Sequence, residues 1–267
     1  MEKASHEETS MRIEDLFSVK GKVALVTGGS RGLGLMIARA YVENGAKVYI
    51  SSRKADACNQ AAENLSKDGT CISLPADLSK TEGRERLVRE LIDREEALHI
   101  LVNNAGAAWG AYLEEYPEDG FDKVMALNVK TVFMLTRDLL PLLQKGVQPG
   151  DPARVINIGS MEGILVSGYE NYAYSISKAA VHHMTKVLGV KLGDRGITVN
   201  AVAPGYFETK MTGWMLEIYR DEIVENAPLK RLGTPPDIAG IALYLASRAG
   251  AYVNGAVIPV DGGTCAK

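Results

Sequence analysis

A chain of 267 residues with 46% hydrophobic and 24% charged residues can bury one sizeable core and has an ordinary globular composition. That excludes disordered, collagen-like and coiled-coil architectures. A formal net charge of −3 gives no general attraction to phosphate backbones or anionic membranes, so nucleic acid is not an expected partner.

Cys58, Cys71 and Cys265 are scattered and odd in number. They match neither a disulfide framework nor a zinc pattern, so reduced thiols and no metal are expected. The opening segment carries Glu2, Lys3, His6, Glu7, Glu8, Arg12, Glu14 and Asp15. It lacks the apolar core of a secretory signal. No apolar run approaches the roughly 18 residues of a membrane span. A soluble, cytoplasmic protein is expected, without membrane insertion.

Residues 1–18 read as a polar, loosely held extension, and residues 19–267 as one domain. Strands are expected at Val23–Val26, Lys47–Ile50, Ile72–Leu74, His99–Val102, Arg154–Ile158, Ile197–Val202 and Ala256–Val260. Helical spacing covers Leu33–Glu43, Arg84–Glu95, Phe121–Gln144, Ala173–Leu192 and Pro236–Ala246. Strands apolar on both faces, alternating with helices, predict an α/β fold. It is a doubly wound, Rossmann-type parallel sheet of about seven strands with helices on both faces. Gly146, Pro149, Gly150 and Pro152 mark a surface loop between a helix and a strand.

The first strand runs into Thr27, Gly28, Gly29, Ser30, Arg31, Gly32, Leu33 and Gly34, and then a helix. Glycines let the backbone approach a pyrophosphate, and the helix N-terminus offers free N–H groups. The spacing is Gly28-x-x-x-Gly32-x-Gly34. In NAD-binding sheets an acidic residue ends the second strand and accepts from the ribose hydroxyls. Here Ser51, Ser52, Arg53 and Lys54 stand there, with Arg31 in the glycine turn. These cations suit a 2′-phosphate, so NADP(H) is the expected cofactor.

Tyr174 and Lys178 are four residues apart at the start of a helical segment. Such a pair shares one helix face and can share one site. A free phenol titrates near 10, and a nearby ammonium favours the phenolate. Ser160, at the carboxyl end of the preceding strand, can reach the same substrate carbonyl.

Together these motifs resemble the single-domain short-chain dehydrogenase/reductase family. The matching pieces are Thr27–Gly34, Asp77-Leu78, Asn103-Asn104-Ala105-Gly106, Asn128, Ser160, Tyr174 with Lys178, Pro204-Gly205 and Asp261-Gly262-Gly263. They run in order across residues 19–264. The resemblance implies that Tyr174 is the proton donor in carbonyl reduction. Lys178 lowers its pKa and holds the nicotinamide ribose, and Ser160 stabilises the oxyanion. Asn128 helps hold a water linking Lys178 to solvent. It further implies that Asp77 and Leu78 contact the adenine, and Asn104, Ala105 and Gly106 the adenosine side. Tyr206 and Thr209 would lie near the carboxamide and pyrophosphate. A homotetramer is implied, with a dimer as the alternative.

Residues beside these motifs have duller roles to weigh. His182 and His183 read mainly as packing or surface residues. Trp109 reads equally as cleft wall or loop anchor. Met161, Ile164, Leu165 and Val166 read as an apolar cleft wall. Met211, Trp214, Met215, Leu216, Ile218 and Tyr219 read as a lid or a subunit contact. The apolar cleft favours reduction of a 3-oxoacyl thioester, as in 3-oxoacyl reductases that the sequence resembles. The alternatives are a gluconate-type sugar or polyol dehydrogenase, another secondary-alcohol dehydrogenase, and a non-catalytic NADP-sensing protein.

Overall fold

Alternation along the strands divides the side chains between two cores. Ala24 and Val26 point to one face of the sheet, Val23 and Leu25 to the other, and each pair joins a separate cluster of buried residues. The computed structural model describes residues 10–267. In chain order it comprises α1 (Ile13–Leu16), β1 (Val23–Thr27), α2 (Gly32–Glu43), β2 (Lys47–Ser51), α3 (Ala55–Leu65) and β3 (Thr70–Ser73). Then come α4 (Thr81–Ile92), β4 (Ile100–Asn103), α5 (Glu118–Met125), α6 (Thr131–Asp138), α7 (Leu140–Lys145) and β5 (Ala153–Ile158). The rest comprises α8 (Tyr172–Leu192), β6 (Ile197–Pro204), α9 (Gly213–Asn226), α10 (Pro235–Ala246) and β7 (Val257–Val260).

The seven strands form one sheet in the order β3-β2-β1-β4-β5-β6-β7. Every pairing is parallel. This is the expected doubly wound, Rossmann-type sheet. Helices α2, α3 and α10 supply the first core, through residues such as Ile37, Leu65 and Leu245. Helices α4, α6, α7 and α8 supply the second, through Leu91, Leu135, Leu142 and Leu192. Strand order reverses between β1 and β4, which opens a crevice at the carboxyl ends of the strands.

The single helix expected at Phe121–Gln144 is interrupted twice. Ala126–Lys130 forms a π-helical turn between α5 and α6, and Leu139 ends α6 before Pro141 in the first turn of α7. Proline cannot continue a helix from within, which accounts for the second break. The Thr131 hydroxyl donates to the Leu78 carbonyl at 2.7 Å and to the Ala126 carbonyl at 3.0 Å, bracing the π turn. Helix α3 went unanticipated because its buried face is built largely from small residues, Cys58, Ala61 and Ala62.

The N-terminal extension lies partly outside the described residues, which begin at Ser10. Met11 and Ile13 are exposed, α1 is a single turn, and the Phe17 ring rests 6.4 Å from that of Tyr244. Val19 is already fully buried.

A charged knot closes the end of the sheet opposite the crevice. Arg154 is 1% exposed, and its guanidinium donates to Asp151 at 2.7 Å, the Leu245 carbonyl at 3.0 Å and the Ser247 carbonyl at 2.8 Å. Lys22 meets the other oxygen of Asp151 at 2.7 Å. His99 Nδ1 accepts from the Val23 N–H at 3.0 Å, and burial lowers the pKa of this imidazole.

Candidate active site

The glycine turn and the loop after β4 meet over the end of β1. The Thr27 hydroxyl donates to the Val102 carbonyl and accepts from the N–H groups of Asn104 at 2.9 Å and Ala105 at 3.0 Å. The Asn104 amide donates to the Thr27 carbonyl at 2.8 Å and the Gly28 carbonyl at 3.3 Å. Gly28 has φ +67°, which only glycine adopts without strain. A Cβ on Gly34 would lie 2.4 Å from Asn104 Nδ2 and 2.5 Å from the Gly28 oxygen. The turn is therefore closed to side chains. It leads directly into α2, whose first N–H groups have no intrahelical partner.

The other sequence-predicted cofactor residues gather around this turn. Ser30, Leu33 and Gly32 lie partly exposed on it. Thr209 sits beside Gly32, 3.5 Å from where a Cβ there would be, and shares hydrogen bonds with Thr212. Arg31, Arg53 and Lys54 are exposed. Among the described residues none of the three forms an ion pair. Burial pushes the Asp77 carboxyl up, but the Ser79 hydrogen bonds, helped by the charges of Arg53 and Lys80, hold it below the usual range. Leu78 is buried. Gly205 packs on Asp261, 2.7 Å from Asp261 Cα to a Cβ placed there, which ties Pro204-Gly205 to the chain after β7. These features fit a phosphorylated dinucleotide: a turn in which Gly28 and Gly34 leave no room for a side chain, exposed cations outside any ion pair after β2, and no carboxylate terminating β2.

The second half of the site is built on β5 and α8. Ser160 follows β5, is 7% exposed, and its hydroxyl accepts from the Glu162 N–H at 3.2 Å. Its side chain also hydrogen-bonds Tyr174. Lys178 lies one turn on along α8, 5% exposed, donating to the Ile158 carbonyl at 2.8 Å. Its ammonium sits 5.4 Å from the centre of the Tyr174 ring. Asn128, in the π turn, accepts from the Ala107 N–H at 2.8 Å. Its amide donates to the Ala107 carbonyl and the Ser177 hydroxyl, both at 2.9 Å. Gly106 completes the group, since a Cβ there would be 3.3 Å from Asn128 Oδ1 and 3.8 Å from Lys178 Nζ.

Burial dominates the electrostatics. It pushes the Tyr174 phenol up to about 12, with the Ser160 hydrogen bond pulling down and the Glu162 carboxylate pushing up. It pulls the Lys178 ammonium down to about 8, against the attraction of Glu162. The expected lowering of the phenol by Lys178 is not seen in the free protein, where burial, Ser160 and Glu162 set its pKa. The ammonium lies over the ring and is bonded to Ile158, and desolvation of the phenolate is the larger effect.

Other residues resolve the open readings. His182 is buried beneath Ser160, whose N–H points at Nε2 at 3.5 Å. Its imidazole leaves no room for a side chain on Gly159 or Gly163. His183 is exposed. Trp109 stacks on Gly120 and lies under the Lys123 ammonium at 5.0 Å, a loop anchor. Of the expected apolar wall, Met161 is buried, whereas Val166 is 95% exposed. On α9, Met215 and Leu216 are buried in a small cluster with Tyr169 and Tyr206, while Trp214 and Ile218 face solvent. Sequence reasoning missed Glu162, a buried carboxyl two residues after Ser160. Its only signal was an acidic residue between Met161 and the Ile164–Val166 run.

A family model described as enoyl-(acyl carrier protein) reductase matches residues 28–265. A rhamnolipids biosynthesis 3-oxoacyl-(acyl-carrier-protein) reductase of Pseudomonas aeruginosa is 48% identical over 249 residues, covering 92% of this chain and 97% of that protein. The Pseudomonas aeruginosa RhlG/NADP active-site complex superposes with a TM-score of 0.91 at 47% identity, covering 94% of this chain and 98% of that one. A gluconate 5-dehydrogenase of Burkholderia cenocepacia in complex with NADP and tartrate has a TM-score of 0.89 at 29% identity, covering 96% and 100%. With the Ser160–Tyr174–Lys178 group beside a glycine cradle in a seven-stranded parallel sheet, the chain belongs to the short-chain dehydrogenase/reductase family of oxidoreductases.

Proposed function

We propose that this protein reduces the ketone of a 3-oxoacyl thioester with NADPH. The observation that carries this is the half-buried Tyr174 phenol, hydrogen-bonded to Ser160 and flanked by the Lys178 ammonium. Bound NADPH supplies a hydride to the carbonyl carbon. A phenol held near 12 keeps its proton at neutral pH and delivers it to the developing alkoxide. Ser160 donates to the same oxygen and stabilises charge as it forms. Lys178 would hold the nicotinamide ribose of the bound cofactor, with its ammonium 5.4 Å from the centre of the Tyr174 ring. The amide of Asn128 is committed to Ala107 and Ser177, so it fixes the loop after β4 against α8. Arg31, Arg53 and Lys54 would receive the 2′-phosphate, and Asp77 with Leu78 and Asn104 with Ala105 would border the adenosine. Gly28, Ser30, Gly32, Leu33, Gly34, Pro204, Gly205 and Thr209 would hold the pyrophosphate and carboxamide.

The thioester is supported by the name of the 48% identical relative and by a 3-oxoacyl-(acyl-carrier-protein) reductase of Vibrio harveyi at 34% identity. A gluconate or polyol substrate is the second reading, favoured by the gluconate 5-dehydrogenase structure and by a galactitol 2-dehydrogenase of Cereibacter sphaeroides at 35% identity. We place the enzyme in the cytoplasm as one domain with a polar extension. It forms a homotetramer through apolar residues left exposed on α6 and α8, Phe133, Ile176, Val187 and Val190. The test is the initial rate with a short 3-oxoacyl thioester and NADPH or NADH, for wild type, Tyr174→Phe and Arg53→Asp. Tyr174→Phe is expected to lose about 10²–10⁴-fold in rate and to keep NADPH affinity. Arg53→Asp is expected to shift preference toward NADH. Turnover of a polyol and none of the thioester would replace the substrate class. NADPH binding without any turnover would make the protein a sensor.

A further inference from the structure

Glu162 is a carboxyl that hydride transfer leaves without a task. It is 7% exposed, in the short turn Met161–Gly163 that follows Ser160. Burying a carboxyl is costly unless its oxygens are bonded. Here they are. Its Oε2 accepts from Asn171 Nδ2 at 2.5 Å and from the Ser175 hydroxyl at 3.3 Å, and the Ser167 side chain adds a further bond. Asn171 and Ser175 are also joined to each other at 3.1 Å. The Asn171 carbonyl accepts from the N–H groups of Tyr174 at 2.9 Å and Ser175 at 3.2 Å, so Asn171 starts the helix that presents Tyr174. The carboxylate therefore grips the first turn of α8. The backbone N–H of the same residue donates to Ser160 Oγ at 3.2 Å.

One residue thus bonds Ser160 through its main chain and the head of α8 through its side chain. The two groups that must close on a single substrate oxygen lie on different elements, one after β5 and the other on α8. We propose that Glu162 is a positioning residue that sets the Ser160–Tyr174 spacing by tying the turn after β5 to the first turn of α8. The inference rests on the hydride-transfer reading of the site. A contribution to stability alone is a poor explanation, because an apolar residue of similar volume is commonly as stabilising as a buried charge. Misplacing a reacting group by about 1 Å can cost on the order of 10²-fold in rate, so a tie at this point has a kinetic purpose.

The test compares Glu162→Ala and Glu162→Gln with wild type. The glutamine side-chain oxygen still accepts from Asn171 and Ser175, whereas alanine removes the tie. For Glu162→Ala we expect kcat to fall about 10-fold or more with unchanged NADPH Kd, and the primary isotope effect with deuterated NADPH to rise. Glu162→Gln is expected to remain within about threefold of wild type. Hydrogen exchange across residues 160–175 provides an arm that needs no substrate, and is expected to quicken in Glu162→Ala but not in Glu162→Gln. Wild-type kcat or wild-type exchange in Glu162→Ala overturns the proposal, as does an equal loss in both variants. Absence of turnover in wild type with any ketone sinks the hydride-transfer reading instead, and the exchange comparison still decides whether the tie exists.

Discussion

At the residue scale, Lys178 carries a charge at a cost in burial. Its ammonium is buried and its pKa is lowered from 10.5 to about 8. Below pH 8 the lysine is protonated in both folded and unfolded chains, and the folded state bears the cost of burying charge. Between about 8 and 10.5 the unfolded chain binds more protons, so this lysine's contribution to stability improves as pH rises. Relative to Lys178→Met, wild type is expected to gain about 2–3 kcal/mol across that interval. Urea denaturation of both proteins at pH 7.5 and 10.5 measures it. A constant difference between the two would mean that the amine is already neutral, or solvated, at neutral pH. The same site explains why a Tyr-x-x-x-Lys spacing was legible in sequence while its electrostatics were not. Helical geometry guarantees that the two side chains share a face. Whether the ammonium points at the phenol oxygen or over the ring depends on Ile158, which arrives from the end of β5.

Elements carry a different kind of information. The strands were readable because residues apolar on both faces have few other uses, and β1, β2, β5 and β6 fall close to the expected bounds. The long helix at 121–144 was not. Its apolar period continues through the π turn, and only the tertiary bond from Thr131 to Leu78 shows where the register slips. At the opposite end of β5 the Lys22–Asp151–Arg154 knot stands in what sequence showed only as a proline- and glycine-rich loop. Arg154 is one of the largest fully buried side chains, and Asp151 is its carboxylate partner. Asp151→Asn is expected to destabilise the fold by about 3 kcal/mol, because it leaves a buried guanidinium without its counter-charge. Chemical denaturation at pH 7 checks it, and a change below 0.5 kcal/mol would show that solvent reaches the guanidinium. Activity per folded molecule should be unaffected, since the knot and the crevice lie at opposite ends of the sheet.

For the whole molecule, the surface of α8 bears Ile176, Val187 and Val190, with Val190 79% exposed. Val187 and Val190 are three residues apart and Ile176 lies eleven before Val187, about three helical turns, so the three share one stripe, which is the face proposed above as the subunit contact. If the proposed tetramer forms through this face, Val190→Lys is expected to lower the mass read by light scattering, without moving the hydrogen bonds of Ser160 or Lys178. An unchanged mass would place the subunit contact elsewhere. Among the described residues no helix is long and apolar enough to cross a membrane.

The sequence by itself determined the layered α/β architecture and the glycine-rich first turn, because each follows from local period and spacing, whereas Ser160, Tyr174 and Lys178 were singled out as a group by resemblance to the family. Only the tertiary structure decided that burial sets the pKa of the Tyr174 phenol, that His182 lies under Ser160, and that Glu162 bonds both the turn after β5 and the first turn of α8. Those facts depend on which strands lie side by side and on how dry the space between them is, and neither is encoded in any single stretch of chain.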